Sequence, residues 1–116
     1  MRGQPSPAAE VARCAAAVRR RYPGLAKGTE WEIARDSQQR SEYQGEWVWR
    51  LPWPQADRVD AIVRAYARHR CTPYEHLLPR PGDCRRRRMY ALARELVGPQ
   101  VDVLLTAWRR PPDVEP

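Results

Sequence analysis

Four consecutive arginines at the start of a helical pattern constrain this chain more than any other feature. Arg85–Arg88 follow Asp83, a typical helix N-cap residue, and precede a run with apolar residues at helical spacing. The amino end of a helix carries a partial positive charge, so each cation there costs about 0.3–1 kcal/mol at low salt. We therefore predict an exposed helix start that is adapted to an anion.

The net positive charge of the chain is concentrated around this helix start. The net charge is +7, and residues 58–94 contain ten arginines against three acidic residues, an excess of seven. The rest of the chain has eleven basic and eleven acidic residues. Such clustering is typical of proteins that bind a polyanion.

The length and composition bound the class of protein. A chain of 116 residues is enough for one domain with one core. It has no Phe, so its five Trp and five Tyr must supply the aromatic packing. Because it lacks an apolar run that could span a membrane or serve as a secretory signal, we expect a cytoplasmic protein without a membrane contact. Three irregularly spaced cysteines favour reduced thiols over a disulfide framework.

Two segments in the amino-terminal half predict a β-hairpin. TEWEIAR and GEWVWRL, residues 29–35 and 45–51, alternate apolar and polar side chains. The polar residues 36–45 would connect the two strands. The tryptophans of this region would pack in the core or, alternatively, stack on the bases of a single-stranded nucleic acid.

The other elements are predicted to be helices. Ser6 as a cap begins the first helix, over residues 7–21, and prolines after the second strand begin another with a core-facing apolar stripe. Thr72 and Pro73 start a short helix. The arginine-rich helix would end at Gly98-Pro99, where a last helix begins. Its predicted buried stripe is Met89, Leu92, Ala93 and Leu96.

These elements define the predicted architecture. The fold class is α+β, with an N-terminal helix, an antiparallel β-hairpin and a C-terminal bundle of about four helices. We expect one domain over residues 7–109, a disordered N-terminus at residues 1–6 and a disordered tail at residues 110–116.

A resemblance to a known family supports a role in DNA binding. MYALARELVG followed by PQVDVLLTAW, with TPYEHLLPRPG upstream, resembles the C-terminal DNA-binding domain of bacterial DnaA-type replication initiators over about residues 63–108. The resemblance implies a helix-turn-helix-like arrangement and a basic loop near Arg80. The family's Gly-Gly-Arg-Asp-His-Thr-Thr recognition-helix signature is absent, and the segment after the Leu pair is shorter. The sequence therefore contains no counterpart of the helix that reads base edges, whereas contacts with the phosphate backbone do not depend on that helix.

The predicted function is binding, not catalysis. We expect a small nucleic-acid-binding accessory protein, of a phage or mobile-element type, that contacts DNA or RNA backbone and needs no cofactor. The alternative is an adaptor or inhibitor that docks its arginine cluster on an acidic protein partner. The predicted nucleic-acid-binding residues are Arg64, Arg68, Arg80, Arg85, Arg86, Arg87 and Arg88.

A zinc site is a weaker alternative for the histidines and cysteines of the same region. Two His and two Cys can bind zinc tetrahedrally, although their spacing matches no familiar zinc finger. The candidate ligands are His69, Cys71, His76 and Cys84. Packed thiols and surface histidines would explain the same residues without a metal. No catalytic triad, nucleophile elbow or phosphate-binding glycine loop is present, so we predict no enzyme.

Overall fold

The computed structural model describes residues 6–40, 45–78 and 86–112. Within these ranges the chain forms four α-helices and two short 3₁₀ segments. The α-helices are α1 (Pro7–Arg21), α2 (Thr29–Arg40), α3 (Gln55–Arg70) and α4 (Arg86–Arg109). The 3₁₀ segments are Val48–Arg50 and Pro73–Leu77. The molecule measures 50 × 47 × 22 Å, so it is about two helices thick.

The predicted α+β class is wrong. Helices account for 78% of the described residues, and these residues contain no strand or sheet. Residues 29–35 form the start of α2, whereas residues 45–51 form an irregular segment with a single 3₁₀ turn. The predicted connection at residues 36–45 is also wrong, since residues 36–40 belong to α2 and residues 41–44 lie outside the described ranges.

A buried carboxylate explains why the helical period of α2 escaped the sequence pattern. The core-facing side of α2 contains Ile33 and Ala34 together with Asp36, which is only 8% exposed. Asp36 accepts hydrogen bonds from Arg40, at 2.7 Å, and from Arg70 on α3, at 3.0 Å. Asp36 thus occupies a buried position where an apolar residue would have completed the helical period of the sequence.

The tryptophans of the predicted second strand lie against the helices. Trp47 is buried, and its indole Nε1 donates to the hydroxyl of Ser37 on α2 at 2.9 Å. Trp49 is partly buried against the core, and the guanidinium of Arg58 lies 4.8 Å from its ring centroid. The core interpretation is therefore confirmed for Trp47.

Three helix starts were predicted correctly. The Ser6 hydroxyl accepts from the amide of Ala9 and caps α1, whose bounds are the predicted ones. The prolines before residue 55 precede α3. Thr72 caps the segment that begins at Pro73, although this segment is a 3₁₀ turn.

The predicted break at Gly98-Pro99 is absent, because α4 runs through it without interruption. A proline inside a helix removes the amide that would donate to the carbonyl four residues earlier, here that of Glu95. Both Glu95 and Pro99 are exposed, so solvent can satisfy that carbonyl. Residues 52–112 therefore contain two α-helices and a short 3₁₀ segment in their described part, and the predicted bundle of about four C-terminal helices is wrong.

The buried side of α4 differs in part from the predicted stripe. Ala93 is buried as predicted, but Leu92 and Leu96 are 51% and 65% exposed. The core-facing side continues from Ala93 through Val97 to Val101 and Leu105. These positions are four residues apart, which is the spacing of one helix face.

Two ion pairs fix the antiparallel register of α3 and α4. Asp60 lies 3.3 Å from Arg109, and Arg64 lies 2.9 Å from Asp102. Arg70, the last residue of α3, is six residues after Arg64 and is therefore level with about residue 96 of α4. The part of α4 before that point extends beyond α3, and the 3₁₀ segment Pro73–Leu77 contacts α4.

Candidate nucleic-acid interface

The amino-terminal half of α4 begins with three arginines. Arg86 is the first helical residue, and Arg87 and Arg88 are exposed. Its first turn contains no acidic residue. Among the residues that the structure describes, no carboxylate forms an ion pair with Arg87 or Arg88. The backbone N–H groups of a first helical turn lack intrahelical acceptors, so this end of α4 combines amide donors with guanidinium groups.

Helix geometry decides which of these arginines share a side of α4. Successive residues are about 100° apart around a helix, so Arg87 and Arg88 point in different directions. Arg94, which is also exposed, is seven residues after Arg87 and lies on nearly the same side, about 10 Å along the axis. Residues 86–98 contain four arginines and one acidic residue, Glu95, a net charge of +3.

Arg64 and Arg68 each contact another side chain of the fold, which the sequence did not indicate. Arg64 forms the ion pair with Asp102 described above. Arg68 is partly buried, and its guanidinium lies 5.4 Å from the ring centroid of Tyr74. Both side chains are thus engaged within the fold.

The remaining predicted arginines fall at or beyond the edge of the described ranges. Arg80 and Arg85 lie outside the described residues, and for Arg86 only the backbone is described. Of the predicted site, the structure therefore places Arg87 and Arg88 together at one helix start. Sequence reasoning missed Arg94, although its seven-residue spacing from Arg87 could have indicated a shared side.

Elsewhere in the described chain, five carboxylates lie within 3.3 Å of seven arginines. The pairs are Arg19–Glu30, Arg21–Asp60, Arg40–Asp36, Arg50–Glu10, Arg64–Asp102, Arg70–Asp36 and Arg109–Asp60. Most of them connect two different elements. These five carboxylates are thus paired with arginines of the helical scaffold, whereas the exposed Arg87 and Arg88 of α4 contribute positive charge to the surface.

The zinc candidates have other surroundings in the structure. His69 Nδ1 lies 3.1 Å from a carboxylate oxygen of Glu75, and its ring meets Tyr74 edge-on. Cys71 and His76 are exposed. Within the described residues, no three His, Cys, Asp or Glu side chains are grouped so that they could hold a metal ion. Cys84 lies outside those residues.

Cys14, the cysteine of α1, is fully buried in the core. Burial raises the pKa of its thiol, and a hydrogen bond with Ser37 lowers it by a smaller amount. The resulting pKa is about 12. The group therefore remains protonated near neutral pH, which is the state expected of a packed structural cysteine.

No helix within the described ranges is both long enough and apolar enough to cross a lipid bilayer.

Comparison with known proteins identifies the family of this chain but no characterised relative. No curated protein and no solved structure shows significant similarity to the sequence. Residues 17–109, which include all of α2, α3 and α4, match the sequence profile of a family described as "Uncharacterized conserved protein (DUF2293)". The match covers most of the chain, and the protein therefore belongs to the DUF2293 family.

Proposed function

We propose that this protein is a cytoplasmic nucleic-acid-binding accessory protein that holds the phosphate backbone with the amino-terminal half of α4. The observation that carries this proposal is the exposure of Arg87 and Arg88 in a first turn without an acidic residue. A phosphate at this position would accept hydrogen bonds from guanidinium groups and from the backbone amides of the first turn. It would also interact favourably with the helix dipole and so offset the repulsion between these cations and the helix end.

Arg94 extends the proposed contact along one side of the helix. Its distance from Arg87, about 10 Å along the axis, allows the two guanidinium groups to bind different phosphates of one strand. Arg80 and Arg85, which precede α4 in the sequence, would add to the same contact. Arg64 and Arg68 contribute less, because they already interact with Asp102 and Tyr74.

The proposed mechanism is backbone binding without base readout. The sequence resembles the DNA-binding domain of DnaA-type initiators but lacks the signature of its recognition helix, so no helix is assigned to the major groove. Contacts made by arginines with phosphates release bound counterions, and affinity then falls steeply with salt. Affinity would depend little on the base sequence.

A salt titration with paired arginine variants tests the proposal. The Arg87→Gln/Arg88→Gln protein and the wild type are titrated into labelled duplex and single-stranded DNA at several salt concentrations. We expect the variant to bind more weakly at low salt. On duplex DNA, the slope of log affinity against log salt should flatten by about 0.9 for each phosphate that the variant no longer neutralises.

The matched control removes the same charge from another helix. Arg13 and Arg20 are exposed on α1, and neither forms an ion pair with a carboxylate of the described residues. The Arg13→Gln/Arg20→Gln protein should keep nearly the wild-type slope. The proposal is wrong if the wild type fails to bind either DNA at low salt, or if the two double variants are weakened to the same extent.

A further inference from the structure

An apolar strip on the outer side of α4 is left uncovered. Leu92, Leu96 and Val103 are 51%, 65% and 69% exposed, and we call these three residues the outer strip. At 100° per residue, their directions around the helix lie within about 40° of one another. Large apolar side chains aligned in this way on a surface helix are typical of a docking site for another protein segment.

The outer strip continues into a shallow, open depression at the carboxyl end of α4. The depression has a volume of about 370 Å³. Its lining consists of Asp102, Val103, Thr106, Ala107 and Arg110. Val103 belongs to both the strip and the depression, so the combined surface extends from Leu92 to Arg110, the residue that follows α4.

Arginines lie at both ends of this surface. Arg110, the residue after α4, lies beside Val103 in the lining of the same depression, and Arg88 lies about 60° from the middle of the strip. Both side chains are exposed. Glu95 lies on one flank near the middle, and Asp102 on that flank is paired with Arg64. The strip is therefore cationic at its ends and not in its centre.

This charge pattern selects among possible occupants. A second copy of the chain packed antiparallel along the strip would bring Arg88 close to Arg110 of the other copy, and a parallel copy would bring equivalent arginines together. Both arrangements place like charges side by side. A nucleic acid bound through its backbone, as proposed above, presents polar phosphates and leaves Leu96 and Val103 without an apolar partner.

We propose that the outer strip binds an amphipathic α-helix of a partner protein, with acidic residues near both ends of the partner's apolar face. Apolar side chains of the partner, spaced three and four residues apart, would contact Leu92, Leu96 and Val103. Carboxylates near its ends would meet Arg88 and Arg110. This site shares Arg88 with the proposed phosphate contact, whereas Arg87 and Arg94 lie on nearly the opposite side of α4.

A synthetic helical peptide serves as the probe. It has about 22 residues, the number of residues that separates Arg88 from Arg110, with Leu at three- and four-residue spacing and Glu in its first and last turns. A second peptide carries Lys in place of Glu. Binding of both fluorescent peptides to the full chain is followed by anisotropy at physiological salt. We expect the Glu peptide to bind about tenfold more tightly than the Lys peptide.

Variants locate the binding site and separate the effect on peptide binding from the effect on DNA binding. Leu96→Gln/Val103→Gln should weaken the Glu peptide by about tenfold or more, with DNA affinity and melting temperature unchanged. Trp31→Gln, which alters an exposed apolar side chain on α2, should leave peptide binding intact. Arg87→Gln/Arg94→Gln should weaken DNA binding and not peptide binding.

Three results would overturn this inference. One is equal binding of the two peptides, and another is no binding of either at millimolar concentration. The third is concentration-dependent dimerisation in sedimentation that the strip variant abolishes, because the occupant would then be a second copy of this chain.

Discussion

At the scale of single residues, Gly24 lies where the backbone of α4 leaves no room for a side chain. Its amide donates to the carbonyl of Trp108 at 2.7 Å, so the loop after α1 touches the end of α4. A Cβ on Gly24 would lie 2.3 Å from the carbonyl oxygen of Arg110 and 2.9 Å from that of Ala107. These neighbours are backbone atoms, so they cannot move aside as a flexible side chain would.

Gly24→Ala should therefore lower the free energy of unfolding, by about 3 kcal/mol. Gly98→Ala is the matched control, because apart from its chain neighbours a Cβ on this helical glycine meets nothing within 4 Å. It should change the free energy of unfolding by less than about 1 kcal/mol, since the better helix propensity of alanine is opposed by the crowding of its Cβ against Pro99. Urea unfolding followed by circular dichroism measures both changes. A Gly24→Ala protein as stable as the wild type would show that the loop does not approach α4 this closely.

At the scale of elements, Asp60 of α3 connects three helices. It accepts hydrogen bonds from Arg21 at the end of α1 and from the hydroxyl of Tyr22, both at 2.6 Å. Arg109 at the end of α4 lies 3.3 Å from the same carboxylate. Burial raises the pKa of Asp60, but the hydrogen bonds from Arg21 and Tyr22 and the charge of Arg109 outweigh it, so the pKa lies below its ordinary value.

Asp60→Asn should cost about 2 kcal/mol of the free energy of unfolding at neutral pH, because it removes charged hydrogen bonds at a partly buried site. Asp102→Asn removes the exposed partner of Arg64 and should cost less than about 1 kcal/mol. Denaturant unfolding of the two variants tests this order. Equal losses of stability would show that Asp60 does not join the helices more strongly than a surface pair.

At the scale of the whole molecule, carboxylates bound by arginines connect the elements of the fold. The hydrogen bond from Arg50 lowers the pKa of Glu10 on α1 below its ordinary value of 4.5. The hydrogen bond from Arg19 does the same for Glu30 on α2. A carboxylate whose pKa is lower in the folded state stabilises that state above its unfolded pKa, and the contribution is lost as pH falls through the folded pKa.

We therefore expect the free energy of unfolding to change little from about pH 7 to pH 5 and to decrease below about pH 4.5. In the Glu10→Gln/Glu30→Gln protein the decrease should be shallower, because these two groups no longer titrate. Urea unfolding across this pH range, at low salt and at about 0.5 M salt, provides the measurement. A stability that rises on acidification would contradict the assignment of these pairs.

Local signals in the sequence determined much of the helical framework. Ser6 and Pro7 marked the start of α1, and apolar spacing marked α3, on which Val59, Ile62 and Val63 are buried. Caps, prolines and apolar periods act within a few residues, so they can be recognised without knowledge of distant partners. The clustering of positive charge between residues 58 and 94 was also evident in the sequence alone.

Only the tertiary structure showed that α2 is a helix, that α4 is continuous and which of the described arginines are paired with carboxylates. Asp36 can lie on the buried side of α2 because Arg70, 34 residues away, binds it. Arg64 is occupied because antiparallel packing brings Asp102 to it across 38 residues. These contacts join residues that are far apart in sequence, and no local pattern encodes which distant charge will be adjacent after folding. The sequence therefore determined where helices begin and where charge accumulates, whereas packing determined which arginines and leucines remain exposed.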